Sequence, residues 1–393
     1  MRCSLTMGAR VVPRAMWTRQ VGHGDRAPSR RPSAVRWIGG EEEASLALRY
    51  LQRVGEESFI HVDRSPDLLR SYLTEGDVTL PMIAEDSEGI RAYAAVSIRR
   101  CYLNGDKTPF TVGYLSGLHK ESSSPQILRD GYRLISQLPT ADRPKALVTS
   151  IMNTNSRALE TIGSGRRIFG ALYRPLGGYS TFLFKPRQAL HSLERHGTLS
   201  SSLTAASFTD DDVWDSNENL EALARRWNGH RCATRINSWL AHGIERATVV
   251  ISKGDNIRAF GALLNVDTVR RWRVNPRYLS VTRRCVMYAL GAFGKKPSIN
   301  KLHPTIFLDS PIFDPDDVEA QRSLLFELCA EAARRYGADA TLCVGVLEGN
   351  PLIKLLAPIK KHTLHSTLFT VDIPELETIS IDDRPWHVDV ASL

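Results

Sequence analysis

The sequence predicts an α/β (α+β) protein with two tandem domains, each a mixed, mostly antiparallel sheet flanked by helices. A chain of 393 residues is longer than one hydrophobic core usually fills. The hexapeptide IRAYAA at 90–95 returns as IRAFGA at 257–262, and each copy follows an apolar run and a polar turn, which is typical of a hairpin. Because a duplicated unit fixes an architecture, this repeat carries the two-domain prediction.

The predicted elements of the two halves follow the same order. In the first half they are the hairpin 78–95, a strand at 110–118, a helix at 126–138, a strand at 146–152 and a closing strand at 179–184. In the second half they are the hairpin 248–262, a strand at 305–313, a helix at 315–335, a strand at 340–346 and a closing strand at 365–371. Apolar periodicity supports the helices, and short apolar runs bounded by turns support the strands.

The boundaries follow from composition. The first 40 residues hold eight arginines and one acidic residue, so most of the formal charge of +8 lies there. We expect this Arg-rich tail at 1–40 to be disordered, because so polar a segment does not offset its ordering entropy. An inert tail, a mitochondrial transit peptide and a nucleic-acid-binding tail are its alternative interpretations. The expected domains are 41–187 and 207–374, with a Ser-rich linker at 188–206 and a loosely packed acidic tail at 375–393.

Several classes of protein are disfavoured. The body outside the tail is nearly neutral, which argues against nucleic acid as a partner, and the basic stretch RRWR at 270–273 is interpreted as a solvated surface or linker. No apolar run approaches the roughly 20 residues that span a bilayer, so no membrane is expected. The six cysteines lack C-x-x-C spacing, which favours a reducing, cytoplasmic location. His362 and His365 have no third ligand in view, so no metal is expected.

Motifs in the first half point to a known family. They are VGYLSGL at 112–118, RDGY at 129–132, TSI at 149–151 with Asn153 and Asn155 after it, and YRPLG at 173–177. They resemble a bacterial branch of the acyl-CoA N-acyltransferase (GNAT) superfamily. The second half resembles companion domains of tandem members through GNPL at 349–352 and STLF at 366–369. The resemblance covers about 42–373 and implies a CoA-dependent enzyme that transfers an acyl group, most commonly acetyl from acetyl-CoA, to an amine.

The resemblance also implies a site in the first half. Pantetheine would lie where the strand ending at Leu118 splays from the strand ending at Met152, with backbone N–H groups stabilising the oxyanion. The cofactor-binding residues that it implies are Ser116, Gly117, Leu118, Lys120, Ser122, Ser123, Ser124, Asn153 and Asn155. The candidate bases are Tyr114, His119 and Glu121. An alternative for Asn155 is a helix cap.

Two departures from the family pattern weaken this assignment. The phosphate loop 119–125 lacks the usual glycines, although its serines and lysine still suit an anion. Ile162 stands where the family often has a tyrosine that protonates the departing thiolate, and Tyr173 or Tyr179 would have to replace it. These departures keep open the alternative of a non-catalytic GNAT-fold binding or scaffold protein.

The second half is predicted not to bind CoA. Its acidic loop at 314–317 would repel a pyrophosphate, and it would shape the acceptor site or stabilise the first half instead. Asp309 and Glu348 end the equivalent strands and are candidates for receiving an acceptor amine. A third hypothesis, transfer of an aminoacyl group from tRNA, is disfavoured by the neutral body.

Overall fold

The computed structural model describes residues 34–55, 60–72, 75–106, 108–120, 126–168, 170–195, 202–208, 230–232, 244–274, 305–338, 340–384 and 386–388. Their strands are β1 Ala34–Trp37, β2 Ile60–Asp63, β3 Val78–Asp86, β4 Gly89–Tyr102, β5 Phe110–Lys120, β6 Ala146–Met152, β7 Leu172–Phe184, β8 Thr204–Phe208, β9 His230–Cys232, β10 Glu245–Lys253, β11 Asn256–Asn265, β12 Arg271–Val274, β13 Thr305–Phe313, β14 Thr341–Leu347, β15 His362–Asp372 and β16 Trp386–His387. Their helices are α1 Glu41–Gly55, α2 Leu68–Ser71, α3 Gln126–Ser136, α4 Ser156–Ile162, α5 Pro186–Arg195, α6 Val318–Tyr336 and α7 Leu352–Leu356.

A single large sheet joins the two halves. It has fourteen strands, twelve of them in the order β1-β3-β4-β5-β6-β15-β7-β14-β13-β11-β10-β8, while β2 and β12 form a separate pair. Most neighbours are antiparallel, and β5 with β6 and β13 with β14 are parallel. Both predicted hairpins are present, as β3 with β4 and β10 with β11. The predicted fold class, a mixed and mostly antiparallel sheet flanked by helices, is confirmed.

The closing strands of the two halves are exchanged. Strand β15, from the second half, pairs with β6 of the first half, while β7, from the first half, pairs with β14 of the second. The two exchanged strands also pair with each other over their whole length. Each half of the sheet is therefore completed by a strand of the other, which ties the halves together.

The expected disordered tail at 1–40 is wrong for its last residues. Strand β1 pairs with β3 in the register Ala34↔Glu85 to Trp37↔Met82, and Ile38 is buried. Apolar side chains alternate with polar ones here and pack beside the sheet, which offsets the ordering entropy. Residues 1–33 lie outside the described residues.

The expected linker and C-terminal tail also contain packed elements. Helix α5 buries Ala189 and Leu193 in the second-half core, and β8 pairs with β10, so ordered structure extends into 188–206. Trp386 and Val388 are buried in a cluster with β5 and β6, which contradicts loose packing of 375–393. Both segments are polar in overall composition, which is why a linker and loose packing were expected. The few apolar residues in each segment are nevertheless enough to pack it against the sheet.

Strand β4 shows how the first half is layered. Val96 and Ile98 pack under α3, whereas Tyr93 and Ala95 pack under α1 and α2. Alternate side chains of a strand point to opposite faces, so the stretch 92–98 of β4, which is apolar except for Ser97, is covered on both faces. The sheet therefore separates two compartments, one under α3 and one under α1 and α2. None of the described helices is long and apolar enough to span a membrane.

Candidate functional site

Strands β5 and β6 separate in the middle of the first half. They pair only from Val112↔Ala146 to Leu115↔Thr149, and the Thr149 hydroxyl donates to the Leu115 carbonyl oxygen at 3.0 Å. Beyond this point β5 remains paired with β4 and β6 remains paired with β15. A wedge-shaped gap therefore opens between 116–118 and 150–152.

A β-bulge lies on the β5 side of this gap. Tyr93 is opposite His119 and Ala95 is opposite Ser116, so Gly117 and Leu118 share Ala94 as their partner. Gly117 has φ +63°, a left-handed conformation that glycine adopts without penalty. A bulge leaves one residue out of the ladder and re-aims the backbone. The backbone at 117–118 is thereby released from strand pairing at the edge of the gap.

The gap continues into a cavity of about 660 Å³ between the sheet, α3 and α4. A volume of this size suits a small-molecule ligand. Five of the residues predicted for the site line it: Tyr114, Ser116, Gly117, Leu118 and Asn155. Ile162 lines it as well, so the position of the missing family tyrosine faces the same space.

The two predicted asparagines are held in different ways. Asn155 caps α4, because its side-chain oxygen accepts a hydrogen bond from the Ala158 N–H at 3.2 Å. Asn153 is exposed and accepts a hydrogen bond from the Thr367 hydroxyl at 3.1 Å. Its own N–H donates to the His365 carbonyl at 2.8 Å. Asn155 is thus a helix cap, as the alternative interpretation predicted. It also lines the cavity, where a ligand could contact it.

The candidate bases are placed unequally. Tyr114 is 1% exposed, and its hydroxyl lies 4.0 Å from the Cys101 sulfur in the core on the face opposite α3. His119 is half-buried beside the bulge. Lys120 ends β5. Glu121, Ser122, Ser123 and Ser124, which the sequence predicts for the base and the phosphate loop, lie outside the described residues.

The tyrosines considered as proton donors also differ. Tyr173 lines the cavity, where its hydroxyl is hydrogen-bonded to that of Tyr132. Burial raises the pKa of both phenols. Tyr179 instead donates to the Val388 carbonyl oxygen at 2.9 Å in the core of the opposite face. Of these two candidates, Tyr173 is the one at the cavity.

A buried ionic cluster adjoins the gap, and no local sequence pattern predicts it. Glu75 is fully buried, with Arg64 at 2.5 Å and Arg270 at 2.6 Å from its carboxylate. Arg99 donates to the Glu75 carbonyl oxygen. The Ser116 hydroxyl donates to the Glu75 carboxylate at 3.4 Å, so the cluster connects directly to the residue before the bulge.

Charge balance in this cluster shows in the pKa values. Burial lowers the pKa of Arg64, but its interactions with Glu75, Tyr72 and Tyr93 together outweigh this effect, and the net pKa is raised. Burial lowers the pKa of Arg270 in spite of the same carboxylate, and it raises the pKa of nearby Tyr72 to about 12. Arg270 was expected in a solvated surface or linker, and this is wrong, because the arginine is 1% exposed. It links the second half to the first-half site.

The second half carries the same bulge with different residues. Phe260 is opposite Ile312 and Ala262 is opposite Asp309, so Ser310 and Pro311 share Gly261. Proline has no N–H to offer a ligand. Asp309 is buried and Glu348 is exposed. Of the two residues predicted to receive an acceptor amine, Glu348 is therefore accessible to solvent and Asp309 is not.

Side chains occupy the N-terminus of α6, the helix that follows this second bulge. The Asp317 carboxylate caps α6 by accepting from the Ala320 N–H at 3.0 Å, and it accepts from Arg258 Nε at 2.8 Å. Gln321 donates to the carbonyl oxygens of Asp314 and Pro315. An N-terminus occupied by a carboxylate offers an anion little, because the charges repel.

Two solved structures are similar to this chain over most of its length. One is a tandem GNAT protein from the clavulanic acid biosynthesis pathway, with TM-score 0.51, 9% identity and coverage of 86% of this chain and 98% of that one. The other is Saccharomyces cerevisiae N-myristoyltransferase with bound myristoyl-CoA, with TM-score 0.51, 10% identity and coverage of 95% and 87%. At these identities the similarity establishes the fold, and the predicted GNAT-type fold is confirmed.

Sequence comparison adds no closer relation. No protein-family model matches the chain, and no curated protein matches it. In the described part of the chain, no group of three or more His, Cys, Asp or Glu side chains is placed to hold a metal ion.

Proposed function

We propose that the chain is a CoA-dependent N-acyltransferase whose acyl-CoA binds in the first-half cavity. The observation that carries this proposal is the coincidence of three features at one place: the parting of β5 and β6, the bulge at 117–118 and the adjoining cavity. An extended pantetheine arm has amides that pair with exposed strand backbone, and the gap offers such backbone on both sides.

The bulge supports the chemical step. An amine attacks the thioester carbonyl carbon, the C–S bond breaks, CoA leaves as the thiolate and the amine nitrogen loses a proton. Negative charge develops on the carbonyl oxygen, and a backbone N–H at 117–118 released from the ladder would stabilise it. We propose Ser116, Gly117, Leu118 and Asn155 as acyl-CoA contacts, with Lys120, Asn153 and the serines 122–124 at the phosphate end.

The proton of the amine requires a base. Among the candidates, half-buried His119 beside the bulge is the one that we propose. Tyr114 is held in the core near Cys101, and Glu121 lies outside the described residues. Acetyl-CoA is the donor that the family resemblance suggests.

Binding of acyl-CoA is the direct test of this proposal. A ligand at 100 times its dissociation constant stabilises the folded state by about 2.7 kcal/mol, which a thermal shift of the full chain detects. We expect stabilisation by CoA and acetyl-CoA. If neither ligand shifts the transition, the enzyme hypothesis fails and the alternative of a non-catalytic binding or scaffold protein, motivated by Ile162 and the glycine-free loop, takes its place.

A further inference from the structure

We propose that the first-half cavity extends into an apolar side channel that accepts an acyl chain longer than acetyl, of about eight to ten carbons. This inference rests on the proposed acyl-CoA site, and it specifies the donor. The channel runs sideways under α3, from the bulge on β5 toward β1.

Small residues lie in register along this route. Val35 on β1 pairs with Ala84 on β3, and Ala84 pairs with Ala92 on β4. These three residues and Ala94 all line the cavity. The alanines stop at Cβ, and Ile127 of α3 packs on Ala84 and Ala92, which are 1% and 2% exposed. A chain that enters this stretch of the cavity would turn the Ile127 side chain aside, which its small neighbours permit.

The lining of the channel suits a hydrocarbon. Helix α3 covers it with Ile127, Leu128 and Ile135, and Ile127 packs with Ala84 and Ala92. Among the described residues that line the cavity, none is charged. The buried hydroxyls of the tyrosine pair on α3 and β7 are hydrogen-bonded to each other, so only one of the two O–H groups is left to donate elsewhere.

The length of the channel sets the size of the chain. From β5 to β1 the route crosses three strand spacings, roughly 14 Å at about 4.8 Å each. An extended chain advances about 1.2 Å per bond, so about twelve bonds would reach from the gap to Val35, and a chain of about eight to ten carbons extends over most of this distance. An acetyl group would leave most of this space without a partner.

The second half supplies an internal control. Where Ala84 faces Ala92, its counterpart Ile251 faces Ala259. The Leu328 side chain lies 3.2 Å from the point where a Cβ on Gly261 would be. The same row of the second half therefore carries a larger side chain at the position of Ala84 and packs tightly against its helix, so we expect no channel there.

The test is isothermal titration of the full chain with CoA, acetyl-CoA and octanoyl-CoA. We expect octanoyl-CoA to bind at least about tenfold more tightly than acetyl-CoA, since each buried methylene contributes to affinity. Ala84→Leu, at the far end of the channel, should reduce this ratio to about one. Ala205→Leu adds the same side chain to an exposed strand position and should leave the ratio unchanged.

The outcomes separate the two proposals. If CoA and acetyl-CoA bind but octanoyl-CoA binds no better, the channel is refuted while the acyltransferase stands. If none of the three binds, the acyl-CoA site itself is refuted. Should Ala84→Leu lose its folded near-ultraviolet circular dichroism, Ile127→Phe fills the channel from α3, and an unchanged ratio in that variant overturns the proposal.

Discussion

At the bulge of the first half stand Gly117 and Leu118, and at the equivalent bulge of the second half stand Ser310 and Pro311. The two bulges interrupt equivalent pairs of strands, and each lies next to a parallel pair that extends for only a few residues. The first keeps its N–H groups and opens onto a cavity. The second contains a proline and adjoins a helix capped by Asp317. The comparison shows that the two halves share the same backbone geometry at the bulge, and that the side chains around each bulge determine whether there is space for a ligand.

The buried ion cluster offers the largest test of how the halves depend on each other. Glu75→Gln removes the carboxylate from between Arg64 and Arg270, and we expect it to lower the free energy of unfolding by about 3–5 kcal/mol. Urea denaturation of the full chain measures this loss.

The matched change in the second half is Glu245→Gln. Glu245 is 50% exposed and lies 3.9 Å from Arg335, and exposed pairs contribute little, so the loss should stay below about 1 kcal/mol. Equal losses in the two variants would mean that Glu75 is no more than an ordinary ion-pair partner.

Importing the residue of the second-half bulge tests the proposed oxyanion site. Leu118→Pro removes one N–H from the first bulge, and we expect kcat to fall by about 10²–10³. Leu118 is 54% exposed, so the change should cost little packing. Transfer from acyl-CoA to an acceptor amine gives the rate, and Leu118→Ala, which keeps the N–H, should stay near wild type. A Leu118→Pro enzyme of normal activity would refute a role for this N–H.

A pair of helix caps sharpens the comparison at smaller scale. Asn155→Ala and Asp317→Ala each remove a side-chain cap, and each should destabilise by about 1 kcal/mol. Only Asn155→Ala should weaken acyl-CoA binding, several-fold by titration, because only Asn155 lines the cavity. If both variants bind acyl-CoA as wild type does, Asn155 is a structural cap alone.

Local patterns predicted the repeating elements well. The hairpins, the helix after each bulge and the strand after that helix follow from turns and from short-range periodicity. The parting of β5 from β6 followed from the family resemblance carried by 112–118 and 149–155. These features depend on neighbours in sequence or on motifs, and both can be read from one chain.

Contacts between residues that lie far apart in the sequence were not predictable. Strands β7 and β15 carry similar apolar patterns, so nothing local says that each pairs with the opposite half. Glu75 meets Arg270 across 195 positions of sequence, and a lone acid after a turn gives no sign of such a partner. The channel was equally hidden, because it depends on three-dimensional register between Ala84 and Ala92.

Hydrogen–deuterium exchange of the full chain with saturating CoA tests the central claim most directly. The account predicts slower exchange of amides at 115–118 and 150–155, in the first half, and unchanged exchange at 307–313 and 341–347 in the second. Protection of the second-half strands, or of neither set, would contradict the assignment of the acyl-CoA site to the first-half gap.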